Sequence, residues 1–309
     1  MMILILIVCL STAYGAFFPA TVKFANLSSG IKIFYREAGD TKAPTILLLH
    51  GFPSSSHQYR NLIPLLSPKY HVVAPDYPGF GFTEVPSALK FNYTFESITT
   101  EIASLLDTLN ITKFTPYIFD YGAPVALRLA LQRPDAVTAI ISQNGNAYVE
   151  GFGRSFWAPI FALWNATTEP QVRKAASAIN MTALTFDGVK SQYVIGSSHP
   201  ESIAPESYWL DDALLNQPGN KDIQLSLLRD YATNVPLYPQ FQQYFRSHQP
   251  KLLAAWGRKD IVFVPPGAKA FRRDLPSAEI HFIEAGHFLL ETDLLELGDL
   301  VLDFLNRTL

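Results

Sequence analysis

The chain has a single cysteine, Cys9, in 309 residues. One thiol excludes an internal disulfide, so a hydrophobic core must stabilise the fold, and a chain of this length can bury one. Neither sign of charge predominates, because 24 basic and 27 acidic residues leave a formal net charge of −3. Without a basic surplus or basic run there is no reason to expect a nucleic-acid partner. After the first residues no apolar stretch is long enough to span a bilayer.

The N-terminus carries an apolar run that predicts a targeting segment. Met2 to Leu10 form this run, which has the length of a signal-peptide core and is too short for a membrane span. The small residues of Ala13-Tyr14-Gly15 follow, so we predict a signal peptide over residues 1–15. The segment lacks a basic residue before the run, and a buried N-terminal strand is the alternative. Cys9 lies inside it, so the mature chain would have no thiol.

Six N-glycosylation sequons agree with passage through the secretory route. The acceptor residues are Asn26, Asn92, Asn110, Asn165, Asn180 and Asn306. Together with the apolar leader they predict a secreted glycoprotein or a protein of the secretory lumen.

Apolar runs alternate with amphipathic stretches, which is typical of an α/β fold with a mostly parallel sheet covered by helices. Thr45 to Leu49 is a continuous apolar run, as expected for a strand buried on both faces. Phe95 to Leu109 has the apolar spacing of a helix. The other predicted strands are 31–35, 70–74, 116–119, 137–142, 251–256 and 279–283, and the other predicted helices are 124–131 and 290–305.

The alternation stops near Asn146 and resumes at Lys251. Between Asn146 and about Pro236 the chain is rich in aromatic residues and short helical patterns, without a convincing buried strand. We therefore predict a helical cap insertion over residues 147–236, within a core formed by residues 16–146 and 237–309.

Polar residues follow five of the predicted strands. In open α/β sheets the ligand-binding groups come from loops at the carboxyl ends of the strands, so these residues are candidates for a common site. They are His50-Gly51-Phe52-Pro53, Asp76 to Gly81, Asp120, Asp260 and the Glu284 to Phe288 loop.

Asp120 stands where a strand turns sharply into a helix, in the segment 117–127. Such a turn usually presents a serine in hydrolases. An aspartate is ionised at neutral pH and can attack an electrophilic sp³ carbon, leaving an ester on itself. The alternative is an ordinary helix cap, since aspartate is a favoured N-cap residue.

In this order, the loops resemble those of the α/β-hydrolase superfamily and, within it, the aspartate-nucleophile branch of epoxide hydrolases and haloalkane dehalogenases. The resemblance covers nearly all of the chain after the predicted signal, with the cap matching most loosely. It implies that Asp120 is the nucleophile, that His287 is the base and that Asp260 orients His287. It also implies that backbone N–H groups of Phe52 and Tyr121 stabilise an oxyanion, and that no metal or organic cofactor is needed.

The resemblance leaves two substrates open. Dehalogenases commonly place a tryptophan after the nucleophile, and many place an asparagine in the first loop, to hold the halide. Tyr121 and Phe52 stand at those positions, which favours an epoxide. Epoxide opening needs a proton donor, and the family uses cap tyrosines. Tyr231 is the first candidate and Tyr193 the second, although either could be a packing residue among fourteen tyrosines.

The predicted function is a secreted hydrolase that opens a small hydrophobic epoxide through an Asp120 ester, which His287-activated water hydrolyses. A haloalkane dehalogenase is the second hypothesis, and a non-catalytic protein that holds a hydrophobic ligand or a protein partner is the third. Oxidative chemistry, as in the luciferases that resemble dehalogenases, is a fourth. The expected partners are substrate and water, and the oligomeric state is left open. The cap aromatics Phe152, Phe156, Trp157, Phe161 and Trp164 fit either a hydrophobic pocket or a seal between cap and core.

Overall fold

The computed structural model describes residues 20–309, so the predicted signal peptide lies outside the described residues. One sheet of eight strands has the order β1-β2-β4-β3-β5-β6-β7-β8. β1 pairs with β2, and β2 with β4, in antiparallel fashion, and every other pairing is parallel. The predicted α/β fold with a mostly parallel sheet is confirmed. The strands are β1 (Thr21–Asn26), β2 (Lys32–Ala38), β3 (Thr45–Leu49), β4 (His71–Pro75), β5 (Thr115–Phe119), β6 (Ile140–Gln143), β7 (Leu252–Gly257) and β8 (Glu279–Ile283).

The continuous apolar runs arise because helices cover both faces of the sheet. In β3, Leu47 and Leu49 belong to one hydrophobic core, while Ile46 and Leu48 belong to the core on the opposite face. Side chains of a strand alternate between the two faces, so a strand buried on both sides must be apolar at every position.

Eleven α-helices occur in residues 20–309. α1 and α11 contribute to the core on one face of the sheet, and α2, α3, α9 and α10 contribute to the core on the other. The helices are α1 (Ile63–Leu66), α2 (Phe95–Thr108), α3 (Gly122–Gln132), α4 (Arg154–Trp164), α5 (Glu169–Asn180), α6 (Phe186–Val194), α7 (Pro205–Leu215), α8 (Asn220–Asp230), α9 (Tyr238–His248), α10 (Pro265–Asp274) and α11 (Leu294–Thr308). None of the helices in the described part of the chain is both long and apolar enough to cross a membrane.

The helices α4 to α8 lie between β6 and β7 in the chain and contact the loops that follow the parallel strands. Gln224 on α8 donates to the carbonyl oxygen of Gly79, in the loop after β4, at 3.0 Å. The Trp157 indole on α4 donates to the carbonyl oxygen of Val262, after β7, at 2.9 Å. These contacts place the segment next to the edge of the sheet where the polar loops emerge. The division of the chain into a core and a cap over residues 147–236 stays a prediction.

Candidate active site

Three of the residues singled out in the sequence meet at the carboxyl edge of the parallel strands. Asp120 directly follows β5, Asp260 lies in the loop after β7, and His287 lies in the loop after β8. Asp120, Asp260 and His287 are 3 %, 3 % and 1 % exposed, so all three side chains are withdrawn from solvent. Asp76, after β4, instead accepts hydrogen bonds from the backbone N–H groups of Ser56 and Phe82, at 2.8 and 2.9 Å, and anchors its own loop.

Asp120 occupies a turn whose backbone is held by close packing. Its φ is 49°, in the left-handed region that few non-glycine residues adopt. Two positions on, a Cβ at Gly122 would lie 2.1 Å from the carbonyl oxygen of Leu49, so only glycine fits. α3 begins at Gly122, with Tyr121 as its N-cap and no side-chain cap hydrogen bond. Asp120 is therefore not the N-cap residue of α3.

The carboxylate of Asp120 faces a backbone donor on one side and an imidazole on the other. Its Oδ1 accepts a hydrogen bond from the Phe52 N–H at 2.8 Å. Its Oδ2 lies 3.9 Å from Nε2 of His287. Nδ1 of His287 lies 2.7 Å from Oδ2 of Asp260, so the carboxylate of Asp260 favours the tautomer with the proton on Nδ1. Nε2, on the other side of the ring, faces Asp120.

Asp260 is held by more donors than the sequence suggested. Its Oδ1 accepts from the N–H groups of Val262 and Phe263, at 2.6 and 3.2 Å. The Asn144 side chain, in the loop after β6, donates to Oδ2, the oxygen that also bonds His287. No residue of this loop was singled out from the sequence. Its place after a parallel strand was the signal that could have identified Asn144 as a partner of the site.

Burial and charge act against each other in this cluster. Burial raises the pKa of Asp120 to about 6, although the charge of His287 and the N–H groups of Phe52 and Tyr121 lower it. For His287, burial lowers the pKa, but the charge and hydrogen bond of Asp260, together with the charge of Asp120, raise it above its ordinary value. At neutral pH the arrangement therefore favours an ionised Asp120 beside a His287 that readily holds a proton.

The predicted oxyanion donors are positioned around Asp120. The loop that carries Phe52 approaches so closely that a Cβ at Gly51 would lie 2.3 Å from Oδ1 of Asp120. The N–H groups of Phe52 and Tyr121 both stabilise the ionised carboxylate. A tetrahedral oxyanion on the same carbon would meet the same donors.

The two predicted cap tyrosines differ in their surroundings. Tyr231 is fully buried, and its ring centroid lies 5.8 Å from that of Tyr121, the residue after Asp120. The ring of Tyr193 stacks on that of Phe288 at 3.9 Å, but its hydroxyl donates to the carboxylate of Asp211. The structure therefore brings the ring of Tyr231 next to Tyr121, and it engages the hydroxyl of Tyr193 with Asp211. A proton-donor role for either stays a prediction.

Tyr238 was missed by the sequence reasoning. It is 2 % exposed, and its hydroxyl oxygen lies 3.4 Å from that of Tyr231. It stands just beyond the predicted end of the cap, at the start of α9, where no motif marks it. Its contact with Tyr231 spans two short turns, Tyr231–Thr233 and Val235–Leu237, so the sequence carried no signal for it.

Aromatic rings surround the buried ring of Tyr231. The rings of Phe152, Trp157 and Trp164 lie 6.1, 4.9 and 6.0 Å from its ring, between centroids. Of the expected aromatic set, these three contact the ring of Tyr231. In the part of the chain that the structure describes, no three His, Asp or Glu side chains are grouped so that they could hold a metal ion.

The four tryptophans differ in whether the indole N–H group is buried and bonded within the protein or lies at the surface. The indole N–H groups of Trp157, Trp164 and Trp256 donate to backbone carbonyl oxygens at 2.9, 2.8 and 2.7 Å. Trp209 is 58 % exposed, on α7. Three indole donors are thus committed to the protein's own backbone, and the fourth tryptophan lies at the surface.

Known proteins share this arrangement of sheet and loops. A model of the alpha/beta hydrolase fold family matches residues 44–294. An uncharacterized hydrolase of Saccharomyces cerevisiae is 45 % identical over 276 residues, which are 89 % of this chain and 93 % of the yeast protein.

Two further similarities cover less sequence or rest on structure alone. A haloalkane dehalogenase of Psychrobacter cryohalolentis is 35 % identical over 117 residues, 38 % of each chain. The solved structure of an epoxide hydrolase, CorEH without ligand, superimposes with a TM-score of 0.72 at 20 % identity, over 93 % of this chain and 99 % of that one. The family model covers most of the chain, and the yeast hydrolase matches along nearly its whole length. The chain is therefore a hydrolase that belongs to the alpha/beta hydrolase fold family; a haloalkane dehalogenase is among its relatives, and it shares its fold with a solved epoxide hydrolase.

Proposed function

We propose that this hydrolase opens a small hydrophobic epoxide through a covalent ester on Asp120. The observation that carries the proposal is the orientation of the Asp120 carboxylate. One oxygen, Oδ1, is bound by the Phe52 N–H at 2.8 Å, while the other, Oδ2, lies 3.9 Å from Nε2 of His287. Oδ2, which faces His287, is the oxygen that attacks carbon, and Oδ1, which the Phe52 N–H binds, becomes the ester carbonyl.

In the first step, Oδ2 of Asp120 forms a bond to an epoxide carbon and the ring C–O bond breaks. Its electron pair passes to the oxygen, and the resulting alkoxide takes a proton from Tyr231. The aromatic walls around Tyr231 suit an apolar substrate, and burial of Asp120 removes the water that would otherwise weaken the nucleophile.

In the second step, His287 takes a proton from water, which attacks the ester carbonyl carbon of Asp120. Alkylation has by then removed the negative charge of Asp120, one of the groups that raise the pKa of His287. Burial, which lowers that pKa, is then opposed by Asp260 alone. The imidazole therefore shifts toward the neutral form that a general base requires. When the tetrahedral intermediate collapses, the ester C–O bond breaks and the leaving alkoxide takes the remaining proton of the attacking water, which releases the diol and restores the carboxylate. His287 then returns its proton to the Tyr231 phenolate.

Epoxide chemistry is favoured over halide release by the tryptophan contacts. A leaving halide needs N–H donors, and the indole donors of Trp157, Trp164 and Trp256 are already bound to carbonyl oxygens. A haloalkane remains the second candidate substrate because of the 35 % identity to a haloalkane dehalogenase over part of the chain.

The test is to trap the ester. We would incubate wild type, Asp120→Ala and His287→Gln with aliphatic and aryl epoxides, and in parallel with haloalkanes of matched size. Intact-protein mass and peptide mapping locate any adduct. His287→Gln should accumulate an adduct on Asp120 with at least one epoxide, Asp120→Ala should form none, and of these three proteins only wild type should release diol. His281→Gln, a change at an exposed histidine on β8, is the matched control and should behave as wild type.

Other outcomes decide among the alternatives. An Asp120 ester formed from haloalkanes and from no epoxide would establish the dehalogenase hypothesis instead. If no compound gives an adduct or turnover, and apolar ligands bind wild type and Asp120→Ala equally well, a non-catalytic binding role replaces the enzymatic one.

We also propose that the protein is secreted and glycosylated. The support is that all six sequon asparagines are exposed, so each could carry a glycan without disturbing the core. Expression of the full chain in a secreting eukaryotic cell tests this. The expected result is protein in the medium that begins near residue 16 and loses mass on treatment with an N-glycosidase. Protein that stays inside the cell with its first residues intact and no glycan would refute it.

A further inference from the structure

The hydroxyl of Tyr231 has an unusual environment for a proton donor. Its ring is enclosed by apolar and aromatic side chains, with Trp157 and Phe95 nearest at 4.9 and 5.3 Å between ring centroids. Among residues 20–309, the side chain at hydrogen-bonding distance from this hydroxyl is that of Tyr238, at 3.4 Å. A phenolate left at Tyr231 after proton transfer would therefore depend on Tyr238 for a hydrogen bond.

Asn146 favours one direction for the hydrogen bond between the two tyrosines. The Asn146 side-chain amide donates to the carbonyl oxygen of Tyr148 at 2.8 Å, and its Oδ1 accepts from the Tyr148 N–H at 3.2 Å, which fixes the orientation of the amide. The amide nitrogen also lies 3.5 Å from the hydroxyl oxygen of Tyr238. An amide nitrogen can only donate, so Tyr238 accepts from Asn146 and its own proton is free to point at Tyr231.

We propose that Asn146, Tyr238 and Tyr231 form a one-directional hydrogen-bond chain, in which Tyr238 donates to Tyr231 as Tyr231 gives its proton to the departing alkoxide. The inference rests on the proposed function and deepens it. Tyr238 is then a positioning residue that acts through Tyr231 and does not touch the substrate. The contacts of 3.4 and 3.5 Å are long for hydrogen bonds and shorten when negative charge develops on Tyr231.

The hydrogen-bond chain acts in the alkylation half of the reaction. When the epoxide C–O bond breaks, the proton of Tyr231 moves to the alkoxide oxygen, and Tyr231 becomes a phenolate that accepts from Tyr238. Aligned hydrogen bonds strengthen one another in a water-poor site. In the ester-hydrolysis half, the protonated His287 returns a proton to the Tyr231 phenolate, and no new charge forms on Tyr238. Loss of the Tyr238 hydroxyl should therefore slow alkylation and leave the attack of water on the ester unchanged.

A double-mutant cycle with rapid quench tests this. We would follow formation and decay of the Asp120 ester by intact mass after mixing with an aryl epoxide. The proteins are wild type, Tyr231→Phe, Tyr238→Phe and the double variant. Tyr244→Phe, which removes a hydroxyl from a buried ring on the same helix α9, is the matched control.

The expected result is that Tyr238→Phe slows alkylation about tenfold, equivalent to about 1.4 kcal/mol, with ester decay unchanged. In the Tyr231→Phe background the same change should alter alkylation by less than about twofold, because its target is gone. Tyr244→Phe should match wild type.

Two outcomes would refute the proposed hydrogen-bond chain. If Tyr238→Phe slows alkylation equally in both backgrounds, the two tyrosines donate to the substrate independently. If it slows alkylation and ester decay alike, or neither, Tyr238 has a structural role or none. Absence of any Asp120 ester in every protein, including His287→Gln, is a different result and would refute the proposed function itself.

Discussion

The pH dependence of alkylation is the sharpest consequence of the buried pair formed by Asp120 and His287. Only the ionised carboxylate attacks carbon, and burial raises the pKa of Asp120 to about 6. We therefore expect kcat/KM of the wild type to fall below about pH 6, by tenfold for each pH unit. This decline is the acidic limb of the pH profile, and for an exposed aspartate it would lie near the ordinary pKa of 3.8.

Replacing His287 should move this limb upward. The charge of His287 lowers the pKa of Asp120, and Nε2 lies 3.9 Å from Oδ2. At this separation the attraction between unit charges is about 4 kcal/mol for an effective dielectric constant of about 20, an upper limit of about three pH units. Because the imidazole carries its proton only part of the time and the site relaxes, we expect His287→Gln to raise the limb by about one to two pH units.

Single-turnover alkylation gives the measurement directly. In His287→Gln the ester accumulates, so its rate of formation can be read by intact mass between about pH 5 and pH 9. The wild-type limb comes from the diol formed at low substrate concentration. His281→Gln serves as the control and should keep the wild-type profile, because His281 is exposed.

Two results would refute the reasoning. A wild-type limb near pH 4 would mean that burial does not raise the pKa of Asp120. A limb that stays in place, or moves to lower pH, in His287→Gln would mean that the imidazole does not stabilise the carboxylate across the 3.9 Å gap.

Three further predictions follow from individual contacts. Asp120→Asn should stabilise the fold at pH 8 by about 1–3 kcal/mol in denaturant unfolding, because it removes a buried charge; the gain should shrink as pH falls from about 6 toward 4, where the native carboxyl is protonated anyway. Asn144→Ala removes a donor from Asp260 and should slow ester decay by about tenfold, more than it slows alkylation, in rapid-quench kinetics. Tyr193→Phe leaves the buried carboxyl of Asp211 without its donor and should lower the free energy of unfolding by about 1–3 kcal/mol, with alkylation within twofold of wild type; a tenfold loss of alkylation would instead place Tyr193 on the substrate.

Most of the sheet could be predicted because burial on both faces leaves a mark on every residue. Thr45–Leu49 was predicted with its observed bounds, and β5 begins one residue earlier than predicted, at Thr115. β1 was not predicted. Only Ala25 of its six residues is buried, since β1 is an edge strand held by backbone pairing to β2, and backbone hydrogen bonds leave no pattern in the side chains.

The candidate site also contains residues that the sequence could identify and residues that it could not. Asp120, Asp260 and His287 could be singled out because each follows a strand, and strand ends share one edge of a parallel sheet. Asn144 also follows a strand, but an amide is neither an acid, a base nor a nucleophile, so its residue type did not single it out. Tyr238 could not be found, because its contact with Tyr231 depends on how the chain passes from a short turn at Tyr231–Thr233 into α9.

By itself the sequence determined the α/β fold and the set of polar loops, because hydrophobic periodicity and strand-end position are local properties of the chain. Only the tertiary structure decided which atoms meet. It placed Oδ1 of Asp120 on a backbone N–H and Oδ2 opposite His287, and it turned the hydroxyl of Tyr193 toward Asp211. Those choices depend on distances of a few ångströms between segments far apart in the chain, and burial makes each of them count, because a polar group withdrawn from water must find its partner within the protein.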